Sequence, residues 1–316
     1  MSDPAAVAVA SRSFSRHPVL RAELLQRYPN TRFNDEGTSL RGETLVEFLG
    51  GRQKAITALE PIDEGLLRRT PELRVISKVG VGLDMVDLEA LERHGVQLAW
   101  SPGTNSRSVA ELALTLALSL LRHLQVVCRE VHEGRWRQPK GRLLSDRTLG
   151  LIGYGNVARD LAELVAPFAC PVLAYDVRPL SDLPHHVQAV DLERLLREAD
   201  IVTLHVDLNP STRRVLDAER LSLMKPSAIL LNTARPGLID EEALASMLRE
   251  GRLAGAGLDV LEEEPPVDSP LIGIDNVLVT PHIGGSTEEA MLAMGRAAID
   301  GLDSPRSVAQ LRAAMA

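Results

Sequence analysis

The sequence predicts an α/β protein of two domains, each built on a parallel sheet, and three observations carry that prediction. The chain has 316 residues, enough for two separate cores. Short apolar runs of β character alternate with helical patterns throughout, as parallel strands joined by crossover helices require. These runs fall into two sets, one on each side of a long apolar helix.

The first set is "AVAVA", "AITAL", "LRVISKV" and "GVQLAW". Between them lie the helical stretches "PVLRAELLQRY", "PIDEGLLRR" and "VDLEALERHG", the last closed by His94 and Gly95, a normal helix stop. The opening "AAVAVA" lacks the basic flank and long apolar core of a signal peptide, so it is taken as the first strand. The dividing helix starts near Val109, with Ser106 or Ser108 as its expected N-cap. Its apolar run "LALTLALSLL" lies between Glu111 and Arg122, too short to span a bilayer, so it is expected to be buried. The second set, "TLGLIGYG", "PVLAYD", "ADIVTLHV", "AILLNT", "LAGAGLDV" and "NVLVTPH", supplies six strands, the number in a Rossmann sheet.

Composition narrows the function. Apolar residues are 45% and charged residues 25%, ordinary for a soluble globular chain. A net charge of −8 without a basic cluster argues against a nucleic-acid partner or a membrane surface. Cys128 and Cys170 have neither pairing nor metal spacing, which fits a reduced cytoplasmic setting and no metal.

The first strong motif is Gly153-Tyr154-Gly155-Asn156-Val157-Ala158, between a strand and a helix. Gly153 permits a tight turn, Gly155 lets the backbone approach a pyrophosphate, and Ala158 packs against the strand. The amides from Asn156 and Val157 onward begin the helix, whose N-terminus favours phosphate. The next strand ends in Asp176, about 20 residues on, where a carboxylate accepts ribose hydroxyls and repels a 2′-phosphate. NAD is therefore the expected cofactor, although Arg178 close by is a group that accepts a 2′-phosphate.

Three later segments, "NTARPG", "GAGLDVLEEEPP" and "VLVTPHIGGST", follow strands of the same sheet. They bring a guanidinium (Arg235), carboxylates (Asp259 and Glu264) and an imidazole (His282) to the edge where open α/β sheets bind ligands. Reduction of a 2-oxo acid uses those groups: a fork for the carboxylate or carbonyl, and an acid titrating near neutrality. Each has a plainer alternative. Arg235 has Asp240 and Glu241 within reach as ion-pair partners, and Glu264 has two acidic neighbours, Glu262 and Glu263.

From "LRVISKVGVGLDMVDLEALERHGVQLAWSPGTNSRSVAELAL" to "PHIGGSTEEA", the sequence resembles the D-isomer-specific 2-hydroxyacid dehydrogenases. The resemblance implies a Rossmann NAD-binding domain (105–285) inserted into a flavodoxin-like substrate domain (1–104 and 286–316). It implies that Arg235 orients substrate, that Glu264 and His282 form the acid–base pair, and that Asp259 contacts the nicotinamide carboxamide. Thr233 and Gly284, in the same motifs, are assigned to the cofactor. The Val81-Gly82 backbone and Asn105 are assigned to the substrate carboxylate. The resemblance also implies a homodimer built around the helix at 109–122. His205, in "TLHVD", matches a family position near the cofactor and is expected to be structural.

Three residues depart from the family pattern. Pro236 stands where relatives usually have Gly, and it pushes Arg235 towards extended geometry. Asp207 replaces a usual proline, and Trp100 a small or polar residue. The loop "ITALEPIDE" carries Glu60 and no cation, so a small unphosphorylated 2-hydroxy or 2-oxo acid of the glyoxylate or hydroxypyruvate kind is expected. D-3-phosphoglycerate dehydrogenase activity is the alternative, and an NAD-sensing, corepressor-like binding protein is the alternative of another class.

Overall fold

The computed structural model describes residues 3–315. The chain divides into two compact units, Met1–Asn105 with Thr287–Ala316, and Ser106–Ser286.

The first unit carries five strands: β1 (Val7–Val9), β2 (Thr31–Phe33), β3 (Lys54–Thr57), β4 (Val75–Lys78) and β5 (Gln97–Ala99). All pairs are parallel, in the order β2-β1-β3-β4-β5. That is the doubly wound order of flavodoxin-like sheets. Apolar cores lie on both faces, one containing Ala8, Ile76 and Leu98 and the other Val7, Val9 and Ile56. The second of these includes Met294, Ala298 and Ile299 from the helix Glu288–Gly301. Ser77 Oγ donates to Ala298 O at 2.7 Å, and Gly301 lies so close to Ala99 and Ser77 that a β-carbon there would overlap both.

The second unit carries seven strands: β6 (Leu149–Ile152), β7 (Val172–Tyr175), β8 (Val187–Ala189), β9 (Ile201–Leu204), β10 (Ile229–Asn232), β11 (Gly255–Leu258) and β12 (Val277–Val279). Their order is β12-β11-β10-β9-β6-β7-β8, parallel throughout. This is the Rossmann order with one strand added beyond the sixth. Because every strand runs the same way, all the loops after them emerge at one edge, and the reversal of strand order falls between β6 and β9.

The structure corrects two expectations. It adds β2 and β8, which the sequence pattern did not reveal; both are three-residue edge strands. The dividing helix begins at Ser106 and runs to Leu121, so neither Ser106 nor Ser108 precedes it as a cap. Their hydroxyls are used elsewhere: Ser106 donates to Asp160, and Ser108 donates to Gly284 O at 2.6 Å. The helix lies against the sheet where glycines leave room, and a β-carbon on Gly257 would sit 3.1 Å from Leu116 Cβ. Among the described residues no single helix is long and apolar enough to cross a membrane.

Candidate active site

The glycine loop follows β6. Gly153 adopts φ +88°, and a β-carbon there would stand 2.5 Å from His205 O, so only glycine fits the turn. Gly155 is the opposite case, because a β-carbon on it would meet nothing within 4 Å. The backbone there borders open space. The helix Asn156–Val165 starts immediately after, and no side chain caps it. Its first amides, beginning with Asn156 and Val157, are donors available to an anion. Ala158 is fully buried beneath them.

Asp176 follows β7 and reaches back to this loop. Its carboxylate accepts from Tyr154 N at 2.9 Å, from Arg178 N at 3.0 Å and from Arg178 Nε at 3.2 Å. Burial alone raises the affinity of this carboxyl for a proton. The bonds from Arg178 and Tyr154 outweigh it and hold the group below the usual carboxylate range. Arg178 is thus joined to the very acid it was expected to compete with.

After β10, Asn232 organises the loop that carries Arg235. Its side-chain oxygen accepts from Ala234 N at 3.0 Å and its amide donates to Arg235 O at 2.8 Å. Arg235 is extended, with φ −145° and ψ 142°, as a residue before proline must be. Its guanidinium donates to Ala234 O at 2.7 Å. Of the carboxylates expected as its alternative partners, Asp240 caps the helix Glu241–Arg249, and Glu241 accepts from Glu262 N at 2.8 Å. Thr233 is 8% exposed, and its hydroxyl has no partner among the described residues. A buried hydroxyl without a partner beside the glycine loop's edge of the sheet fits a site completed by a ligand.

Asp259, after β11, is 1% exposed. One oxygen accepts from Thr280 Oγ1 at 2.6 Å and Ile283 N at 2.8 Å; the other accepts from Gly284 N at 2.7 Å. Both oxygens hold the loop after β12. In that loop His282 has φ +55°, a left-handed conformation that β-carbons disfavour and that clusters at functional sites. His282 Nδ1 meets Glu264 Oε2 at 2.8 Å, both side chains being partly exposed. The other Glu264 oxygen accepts from Leu261 N at 3.1 Å, which fixes the carboxylate. Glu263 instead accepts from Val267 N and Asp268 N, so of the acidic run only Glu264 meets the imidazole.

His205 hydrogen-bonds Thr203 Oγ1 through Nε2 at 3.1 Å, and burial pushes it down to about 4, so it is neutral at ordinary pH. The remaining predicted residues, Val81, Gly82 and Asn105, belong to the first unit. There Trp100 Nε1 donates to Val81 O at 2.9 Å. The loop after β3 is also more elaborate than its sequence suggested. Glu60 accepts from Ala58 N at 2.6 Å, and a cation does arrive: Lys78, from the end of β4, donates to Ala58 O and Val79 O.

Comparison with known proteins identifies the family. Residues 114–284 match the profile "D-isomer specific 2-hydroxyacid dehydrogenase, NAD binding domain". The hydroxypyruvate reductase of Thermotoga maritima is 42% identical over 229 residues, covering 71% of this chain and 74% of that one. A D-3-phosphoglycerate dehydrogenase of Methanocaldococcus jannaschii is 39% identical over 74% of this chain, which spans 46% of that longer protein. Among solved structures, the D-lactate dehydrogenase of Aquifex aeolicus complexed with NAD and lactic acid superposes with a TM-score of 0.82. It is 26% identical, with 95% of this chain and 94% of that one covered. The chain therefore belongs to the D-isomer-specific 2-hydroxyacid dehydrogenase family and is an NAD-dependent oxidoreductase.

Proposed function

We propose that this protein reduces a small, unphosphorylated 2-oxo acid of the glyoxylate or hydroxypyruvate kind, or oxidises the matching D-2-hydroxy acid. The observation that carries the catalytic assignment is the Glu264–His282 bond at the edge of the sheet that also bears the glycine loop. With Nδ1 turned to the carboxylate, Nε2 is the nitrogen left for the substrate oxygen. Glu264 holds the ring in one orientation.

Gly153, Gly155, Asn156, Val157 and Asp176 hold the dinucleotide's phosphates and ribose, and Thr233, Asp259 and Gly284 its nicotinamide end. Asp259 acts there through the loop it fixes. When bound, the cofactor supplies or accepts the hydride at the substrate's C2. In reduction, His282 Nε2 gives its proton to the oxygen that becomes the hydroxyl, and in oxidation it takes that proton back. Arg235 orients the carboxylate or polarises the carbonyl through its planar fork. The Val81 and Gly82 amides and Asn105 take the substrate carboxylate.

The absence of a phosphate from the substrate is inferred from Glu60, an acid 6% exposed in the loop after β3, and from Lys78, whose ammonium is turned to backbone carbonyls. We further infer a homodimer. The helix at 109–122, around which the dimer is expected, buries Val109, Ala113, Leu116 and Leu121 in its own unit. The support therefore comes from the large apolar side chains exposed just after it, Leu124, Val131, Trp136 and Leu143. A cytoplasmic location is supported by the two free cysteines.

The test is NADH turnover on glyoxylate, hydroxypyruvate, pyruvate and 3-phosphohydroxypyruvate, with light scattering for the oligomeric state. The small acids should be reduced at the highest kcat/KM. Preference for the phosphorylated acid would replace the substrate assignment. Tight NADH binding without turnover would favour an NAD-sensing role, and a monomer at micromolar concentration would remove the dimer.

A further inference from the structure

Trp100 has a place in the first unit that assigns it a task. The residue follows β5 directly, and its ring packs beside the core that contains Leu91, Val96 and Leu98. Its indole N–H, the one donor a tryptophan side chain has, goes to Val81 O at 2.9 Å. Val81 lies in the loop after β4, between Gly80 and Gly82, and Gly80 has φ +98°. With glycine on either side, little in the backbone itself selects one orientation of the Val81–Gly82 peptide plane.

The N–H groups of Val81 and Gly82 have no hydrogen-bond acceptor among the described residues. Two successive amides without partners form the kind of concavity that receives an anion. The Val81–Gly82 peptide is trans, so its C=O and N–H point in opposite directions. Drawing the Val81 carbonyl towards Trp100 therefore turns the Gly82 N–H away from the core.

We propose that Trp100 is a positioning residue, whose indole N–H pins the Val81 carbonyl and so presents the Gly82 N–H to the carboxylate of the 2-oxo acid. The proposal rests on the functional reading above, in which this backbone holds that carboxylate. A rigid pin keeps the donors ready and lowers the ordering cost of binding. The effect concerns capture of the acid and not the transfer steps, so it belongs in KM and not in kcat.

The chain has two tryptophans, Trp100 and Trp136. In a Trp136→Phe background, Trp100 is replaced by Phe and, separately, by β-(3-benzothienyl)alanine, which exchanges the N–H for sulfur and keeps the bicyclic shape. KM for glyoxylate and pyruvate should rise about fivefold to tenfold in both, the effect of one lost hydrogen bond. Their kcat should stay within about twofold of the background, as should the NADH dissociation constant. The sulfur variant keeps the packing, so it remains informative if the Phe variant does not fold. An unchanged KM in the sulfur variant overturns the proposal, and so does a parallel loss of kcat and NADH affinity. If the wild-type protein turns over no 2-oxo acid, the functional reading itself fails and the proposal with it; the Trp136→Phe parent must match the wild type before Trp100 is changed.

Discussion

The carboxylate of Asp259 and the amide of Gly284 are joined by a 2.7 Å hydrogen bond that ties β11 to the loop bearing His282. With the bonds from Ile283 and Thr280, one buried acid anchors the backbone on both sides of the histidine's left-handed residue. Asp259→Ala should therefore leave buried donors unsatisfied and free the imidazole at once. A loss of about 2–4 kcal/mol of unfolding free energy, read from denaturant titration, is expected. A fall in kcat of roughly tenfold or more should accompany it, since displacement of a catalytic group by about 1 Å is already costly. A stable variant with unchanged kcat would show that the loop is held by other contacts.

Asp176 is expected to set cofactor choice. Asp176→Ala removes an acceptor for the ribose and releases Arg178 from its present partner, leaving it free to meet a 2′-phosphate. NAD should lose roughly tenfold or more in kcat/KM while NADP gains relative to it. The pH dependence follows from the direction of the shift. The folded carboxyl is held below its ordinary value, so it stays ionised throughout the neutral range. Stability from its bonds is present above the unfolded pKa of about 3.9 and is lost only as pH falls through the lower folded value. The dissociation constant of NAD, whose pyrophosphate does not titrate in this range, should therefore be flat in the wild type from about pH 5 to 8. An NAD affinity that titrates in that window would mean another group governs binding there.

His282→Asn is a sharper probe than alanine, because asparagine tolerates the left-handed conformation that position 282 adopts. The backbone should persist and NADH should still bind, with kcat down by on the order of 10²–10⁴. Glu264→Gln keeps the hydrogen bond in form but withdraws the carboxylate that holds His282 Nδ1. Its kcat for 2-oxo acid reduction should fall by roughly tenfold or more while NADH still binds. An unchanged kcat would exclude Glu264 as the partner.

Arg235→Lys should rescue Arg235→Ala poorly, because an ammonium lacks the two-pronged plane. The comparison is kcat/KM on the best acid of the panel, and wild-type efficiency in the lysine variant would end the clamp assignment. Pro236→Gly frees the backbone on both sides of that arginine. It should lower the melting temperature by the equivalent of about 0.4–1 kcal/mol, plus any further cost of glycine, while activity survives.

Much of this was legible in the sequence because the relevant signals are local. Buried parallel strands are continuous apolar runs, and β6, β9, β10 and β11 are buried at every position. The strands that escaped, β2 and β8, occupy sheet edges, where short length and exposed residues such as Arg32 and Gln188 erase the pattern. The glycine loop and Asp176 stood out in the sequence because a dinucleotide site is expected to show fixed spacing. Relationships between distant segments left no such trace. Nothing in "LNTARPG" says that Asn232 will hold the Arg235 carbonyl, and nothing in "LAWSPG" says that Trp100 will reach back to Val81. Ser106 and Ser108 misled for the same reason: a hydroxyl near a helix start suits a cap, but tertiary partners took both.

The chain completes its two units in an order with consequences for biosynthesis. The second unit is one continuous stretch, Ser106–Ser286, whereas the first is finished only by Thr287–Ala316. As the polypeptide leaves the ribosome, the nucleotide-binding unit has its whole sequence while the earlier-made unit still lacks Met294, Ala298 and Ile299 from its core and the Ala298 carbonyl that Ser77 bonds. The N-terminal strands must therefore wait with an apolar face uncovered. Chains truncated at residue 286 and held clear of the ribosomal exit tunnel by an unstructured C-terminal linker should protect the second unit from protease and leave the first open to cleavage. In this architecture the part translated first is the part that folds last.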